Sequence, residues 1–144
     1  MLQRRADAGR ASITLEYETG WNRNDFGRKA RALEDLAVRG RLSKGENPAT
    51  RDPSLTRQYK NRLVRRAYEE FGRSDPATFR RLRDRIRQMH PDHMQDLQLV
   101  GADDAMNLWL LDADVNTGLG RQIWQQIRLL RAGTMIDRVI IRGF

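Results

Sequence analysis

Cysteine is absent from the sequence, and histidine occurs only twice among 144 residues. Disulfides and thiolate zinc sites are therefore excluded, and so is a histidine-rich metal centre. No apolar run is long enough to span a bilayer, so no membrane partner is expected. Met1 to Ser12 is rich in Arg but lacks the apolar stretch of a signal peptide; if the protein leaves its cell, this segment is not its address. Lysine is also scarce, at three of the 27 cationic side chains.

Arginine fills that place. The net charge is +8 and the isoelectric point is near 10.9. A small basic domain is drawn to polyanions: nucleic acid, an anionic membrane or an acidic protein. Arginine forks suit bidentate phosphate contacts better than lysine does, although a biased base composition would enrich arginine as well. The length suits one domain, or one domain with a helical extension.

Residues 1–11 read as a basic tail or linker. Ile13 to Tyr17 alternates as a short strand, and Gly20 ends it. Asn22 or Asn24 can cap a helix to about Arg39 with Phe26, Ala30, Leu33 and Ala37 on one face. Lys44 to Pro53 reads as a loop. A second helix runs from about Ser54 to Phe71, and Asp75-Pro76 starts a third. In the third, Phe79, Leu82, Ile86 and Met89 form the apolar stripe, while Arg80, Arg83 and Arg87 share another face. Met94 to Val100 and Met106 to Leu111 read as a hairpin about a Gly101–Asp104 turn. Asp112 or Asp114 caps a last helix to about Leu130, and Met135 to Ile141 is a final strand. Trp21, Trp109 and Trp124 are expected in the core. The helical segment is 12–89, and the unit from 90 to 144 follows it.

Unusual residues concentrate between His90 and Arg121. Asp92-His93 precedes one strand, Asn107 opens the next, and Asn116 lies near the start of the following helix. A strand–turn–strand–helix unit folds the chain back on itself. It thereby brings the first of these residues close to the last. Taken singly, His93 reads as an ordinary hydrogen-bonded histidine, His90 as a charge at a helix end, and Asp103 and Asp104 as turn residues.

The run Asp92-His93-Met94-Gln95-Asp96-Leu97, then Gly101, Asn107-Leu108 and Val115-Asn116 with Gly118 and Gly120, resembles the HNH nucleases of the His-Me finger superfamily. The wider text, through Leu111-Asp112, Leu119-Gly120, Gln122-Ile123 and Gly133-Thr134, resembles toxin domains of bacterial polymorphic toxins, including Rhs-type and type VI secretion effectors. The resemblance implies an α+β fold with a ββα-metal (HNH) element over residues 90–131, packed with N-terminal helices and short edge strands. It implies His93 as general base, a role suited to a neutral imidazole. Asp92 and Asn116 become oxygen ligands for a divalent ion, Mg²⁺ or Mn²⁺ rather than zinc. Asn107 becomes a structural residue that fixes the hairpin. His90 and Asp96 stand beside the site as supporting groups. Many relatives have a neutral residue at Asp96, which leaves it either a supporting carboxylate or a solvated charge. Arg80, Arg83, Arg87 and Arg121 become phosphate contacts.

The expected function is thus a metal-dependent, largely sequence-nonspecific DNA endonuclease. It would be the toxin part of a larger secreted effector and act in the cytoplasm of a target bacterial cell. DNA and an acidic cognate immunity protein are the expected partners. A non-catalytic nucleic-acid-binding module and a toxin acting on RNA remain the alternatives.

Overall fold

The computed structural model describes residues 9–144, so most of the tail expected over 1–11 lies outside the described residues, and Arg10 and Ala11 already belong to a strand. The elements run β1 (Arg10–Glu16), α1 (Arg23–Val38), α2 (Pro53–Phe71), α3 (Pro76–Gln88), β2 (His90–His93), β3 (Leu108–Leu111), α4 (Ala113–Ile127) and β4 (Met135–Arg142). This is a small mixed α+β domain. Among the described residues, no helix is long and apolar enough to cross a membrane.

Helix starts follow side-chain chemistry. Asn22, Asp52, Asp75 and Asp112 each accept a backbone N–H of the first turn, satisfying donors the helix cannot satisfy itself. Proline follows the cap in α2 and α3, where its missing N–H costs nothing.

The outer strands β1 and β4 pair in parallel, Ile13 with Val139, with an irregularity at Ala11/Ser12. Ile13 and Leu15 of β1 meet Phe26, Ala30 and Leu33 of α1, Val115, Leu119, Ile123 and Ile127 of α4, and Ile136 of β4 in one buried cluster. The segments 12–89 and 90–144 thus contribute to a single core. The α2–α3 hairpin barely enters it. Ala67 is the only buried residue of α2, and α3 has none. The stripe of Phe79, Leu82, Ile86 and Met89 is only half-buried, because α3 packs mainly on α2.

The free edge of β1 is closed by side chains. Gln122 and Gln126, one turn apart on α4, lay their amides along the strand. The Thr14 and Glu16 amides donate to Gln126 Oε1 and Gln122 Oε1 at 2.7 and 2.9 Å, and the Nε2 groups donate back to the same residues' carbonyls at 2.8 and 2.9 Å. The two glutamines occupy the position of a neighbouring strand and block edge-to-edge pairing.

The hairpin differs from expectation. Its strands are β2 and β3, with His90 opposite Leu111 and His93 opposite Leu108. The strand expected over Met94–Val100 does not form. Residues 94–107 make a long loop holding two short 3-10 turns, Leu97–Leu99 and Ala105–Asn107. The alternation of that segment reflects loop anchoring: Leu99 is fully buried and pins the loop to the core. Val100 adopts a left-handed φ of 59°, and a Cβ on Gly101 would run into the Gln95 carbonyl. The Val100 conformation does not suit an extended strand. Trp124 is 54% exposed and is not a core residue. It lies off the stripe of Leu119, Ile123 and Ile127.

Candidate functional site

The site begins with one face of α1. From this helix, Asp25 accepts the Asp112 amide at 2.7 Å, and so holds the start of α4. Arg28 donates to the Leu110 carbonyl and lies over the Trp109 ring at 4.5 Å. Lys29, 2% exposed, reaches under the hairpin. Its Nζ donates to the His93 carbonyl at 2.6 Å and pairs with Asp96 Oδ1 at 2.7 Å and Asp92 Oδ2 at 2.9 Å. Burial opposes the charge on Lys29, but Asp96 and Asp92 outweigh it and raise its pKa above the ordinary lysine value.

Asp92 stands opposite Trp109 across the hairpin, and the indole Nε1 donates to Asp92 Oδ2 at 2.7 Å. One carboxylate oxygen is thus fixed from two sides. Asp96, no longer on a strand, turns back to the same ammonium. Its sequence alternatives resolve geometrically: it is a paired carboxylate and not a solvated charge.

Asn107 closes the 94–107 loop. Its Nδ2 donates to the carbonyls of Gln95 and Ala102, both at 2.9 Å, and its Oδ1 accepts the Gln95 amide at 3.0 Å. The Met94 amide adds a bond to the Asn107 carbonyl at 2.7 Å. Backbone on both sides of the loop is tied to one amide, immediately after His93.

His93 is 2% exposed, and its Nε2 meets Asp103 Oδ1 at 2.8 Å. The other oxygen, Asp103 Oδ2, accepts the Asp52 amide at 2.6 Å. The His93 hydrogen bond, then the Asp52 amide, hold the Asp103 carboxyl below its ordinary pKa, and Arg51 contributes its charge nearby. An ionised Asp103 can only accept, so Nε2 carries the proton and the neutral ring keeps its lone pair on Nδ1. Among the described residues nothing bonds Nδ1, yet no buried side-chain polar atom lacks a partner. Nδ1 therefore reaches solvent.

The opening is a cleft of about 350 Å³ lined by Asp92, His93, Asp96, Asn116 and, from the loop before α2, Arg51. Asn116 sits on the second turn of α4, where its Nδ2 lies 3.2 Å from His90 Nδ1. Six of the sequence-derived residues thus converge: His93, Asp92, Asp96 and Asn116 line the cleft, His90 braces Asn116, and Asn107 fixes the loop. Arg80, Arg83 and Arg87 lie on α3 and Arg121 on α4, none of them lining the cleft. Arg83 is engaged by Asp84 at 3.2 Å.

Three functional groups escaped the sequence reading: Asp103, Lys29 and Arg51. Asp103 carried the weak signal of an Asp pair three residues before Asn107. Lys29 and Arg51 carried none, since their partners lie far along the chain. Comparison with protein-family models, curated proteins and solved structures finds no match.

Proposed function

We propose that this domain is a metal-dependent, largely sequence-nonspecific DNA endonuclease acting as an antibacterial toxin. The observation that carries the reading is the His93–Asp103 pair at 2.8 Å, with His93 lining a cleft together with Asp92 and Asn116.

Phosphodiester hydrolysis needs an activated water and stabilisation of charge on phosphate. His93 Nδ1 accepts the proton of the attacking water. Asp103 holds the ring in the tautomer that makes this possible and stabilises the imidazolium once the proton arrives. Lys29 holds the His93 carbonyl, and Asn107 ties down the backbone just after it. Arg51 supplies a guanidinium for a phosphate oxygen.

Among the described residues, no cluster of three or more His, Cys, Asp or Glu is arranged to hold a metal. The donors present are the Asp92 carboxylate and the Asn116 amide oxygen. Lys29 carries one positive charge against two from Asp92 and Asp96, so the group retains net negative charge. Two hard oxygen donors fit Mg²⁺ or Mn²⁺, which keep several waters, and do not fit zinc. When bound there, such an ion polarises the phosphoryl oxygen and stabilises the leaving 3′ oxygen. The toxin role rests on the resemblance. With it come an acidic immunity protein, secretion as part of a larger effector, and action in the cytoplasm of a target bacterium.

Plasmid nicking tests the chemistry. The wild type should nick with Mg²⁺ or Mn²⁺ and stop with EDTA, and His93→Ala and Asn116→Ala should each lose about 10²-fold or more. Near-wild-type cleavage by His93→Ala would overturn the mechanism. Faster digestion of total RNA than of plasmid moves the substrate to RNA. An inert wild type that still binds DNA favours the non-catalytic module.

A further inference from the structure

The chain's charge is not spread evenly. Residues 53–88, the α2–α3 hairpin, hold eleven Lys and Arg against four Asp and Glu, which is seven of the net eight positive charges. The rest of the molecule is almost neutral. Ten of the eleven cations are arginines, and within the hairpin only Arg83 makes an ion pair among the described residues. The hairpin adds little to the core, since Ala67 is its only buried residue. So much uncompensated charge, on two helices that fully bury only Ala67, is unfavourable for the free protein through self-repulsion.

The hairpin also starts at the cleft. Asp52 caps α2 and is held by Asp103, while Arg51, one residue earlier, lines the cleft. Three residues beyond Asp103, Met106 is 90% exposed. It faces a groove of about 260 Å³ formed with Tyr59, Arg62, Leu63 and Arg66 of α2. A short stretch of chain, 103–106, therefore joins the His93 pair to a groove with two exposed guanidiniums and apolar side chains between them.

We propose that the α2–α3 hairpin is the arm that grips the nucleic-acid backbone, and that the strand leaves the cleft across Met106 along Arg62 and Arg66. The inference rests on a nucleic-acid substrate for the cleft. Arginines would meet successive phosphates, and Met106 and Tyr59 would contact a sugar or base face. The affinity then comes from the arm and the chemistry from the core.

Fluorescence anisotropy with a labelled DNA duplex in EDTA, over a salt series, reads binding apart from cleavage. Three proteins are compared: wild type, R62E/R66E, and R128E/R131E. The last pair is charge-matched, and Arg128, at the far end of α4, lies about 18 Å of helical rise from Asn116. The wild type should show log Kd rising linearly with log salt. R62E/R66E should weaken binding at least tenfold near 0.1 M salt and reduce the slope by about 2, and R128E/R131E should change binding less than about threefold. R62Q/R66Q, with matched melting curves, guards against misfolding and should lower the slope in the same direction. Equal effects of the two reversed pairs would overturn the arm, leaving net charge alone. A wild type with no salt-dependent binding would instead overturn the nucleic-acid substrate itself.

Discussion

At the scale of single residues, Asp103 fixes the His93 ring and Lys29 fixes the Asp92 carboxylate. Asp103 accepts from both His93 Nε2 and the Asp52 amide; Asp103→Asn can accept from only one of them and loses the charge that stabilises an imidazolium. Plasmid cleavage should fall about 10²-fold with little change in KM, since the group acts only as charge develops. The same carboxylate has a pH signature. Its folded pKa lies below the ordinary value. The stability it confers is therefore present above an unfolded pKa of about 3.9 and is lost as pH falls through the folded one. The stability difference between wild type and Asp103→Asn, measured by urea unfolding, should accordingly shrink on acidification below about pH 4. Lys29 runs the other way. Its raised pKa keeps its contribution intact below about 10.4 and loses it only at higher pH. Lys29→Met would leave Asp92 and Asp96 buried without a cation and should cost about 3–5 kcal/mol in urea unfolding. The Asp-His pair and Asn107 were legible because they sit in one short stretch with recognisable spacing. Lys29 was not, because a lysine on the buried face of a helix reads as an interruption until its carboxylate partners, more than sixty residues away, are brought beneath it.

Among the elements, α4 does three tasks: it presents Asn116 to the cleft, seals the core, and closes the edge of β1. Gly118 makes the close packing possible, because a Cβ there would strike the Trp21 ring. Gly to Ala within a helix ordinarily stabilises by about 1 kcal/mol; here the sign should reverse, with Gly118→Ala lowering stability by about 1–3 kcal/mol in a thermal or urea melt. Removing both edge amides, Gln122→Ala with Gln126→Ala, should cost about 1–2 kcal/mol and speed hydrogen exchange at the Thr14 and Glu16 amides ahead of the rest of the sheet. Six elements were readable from periodicity and caps: the four helices and the two outer strands. The hairpin was misplaced because the alternation in Met94–Val100 has two causes that look alike in sequence. One is a strand half-buried along its length. The other is a loop anchored at a few points, here by Leu99 and by the Asn107 amide, and only the second fits the left-handed Val100.

At the scale of the whole molecule, the proposed chemistry and the proposed grip fall in different parts of the chain. If phosphate contacts dominate binding, plasmid cleavage at subsaturating DNA should fall steeply between about 50 and 200 mM salt, by a factor of 10³ or more for six phosphate contacts. Cleavage of a small aryl phosphodiester in the same buffers should stay nearly flat. The parallel pairing of β1 with β4 has a further consequence. Ile13 and Val139 are about 125 residues apart, so their union must wait for everything between them and carries a large loop-closure cost. During synthesis at about 5–20 residues per second, β1 emerges many seconds before its partner exists. Through most of that interval α4 has not been made either, so β1 lacks both its strand partner and the helix that closes its edge. If the domain is the nuclease proposed above, its cleft stays unassembled on the nascent chain until β4 has been made.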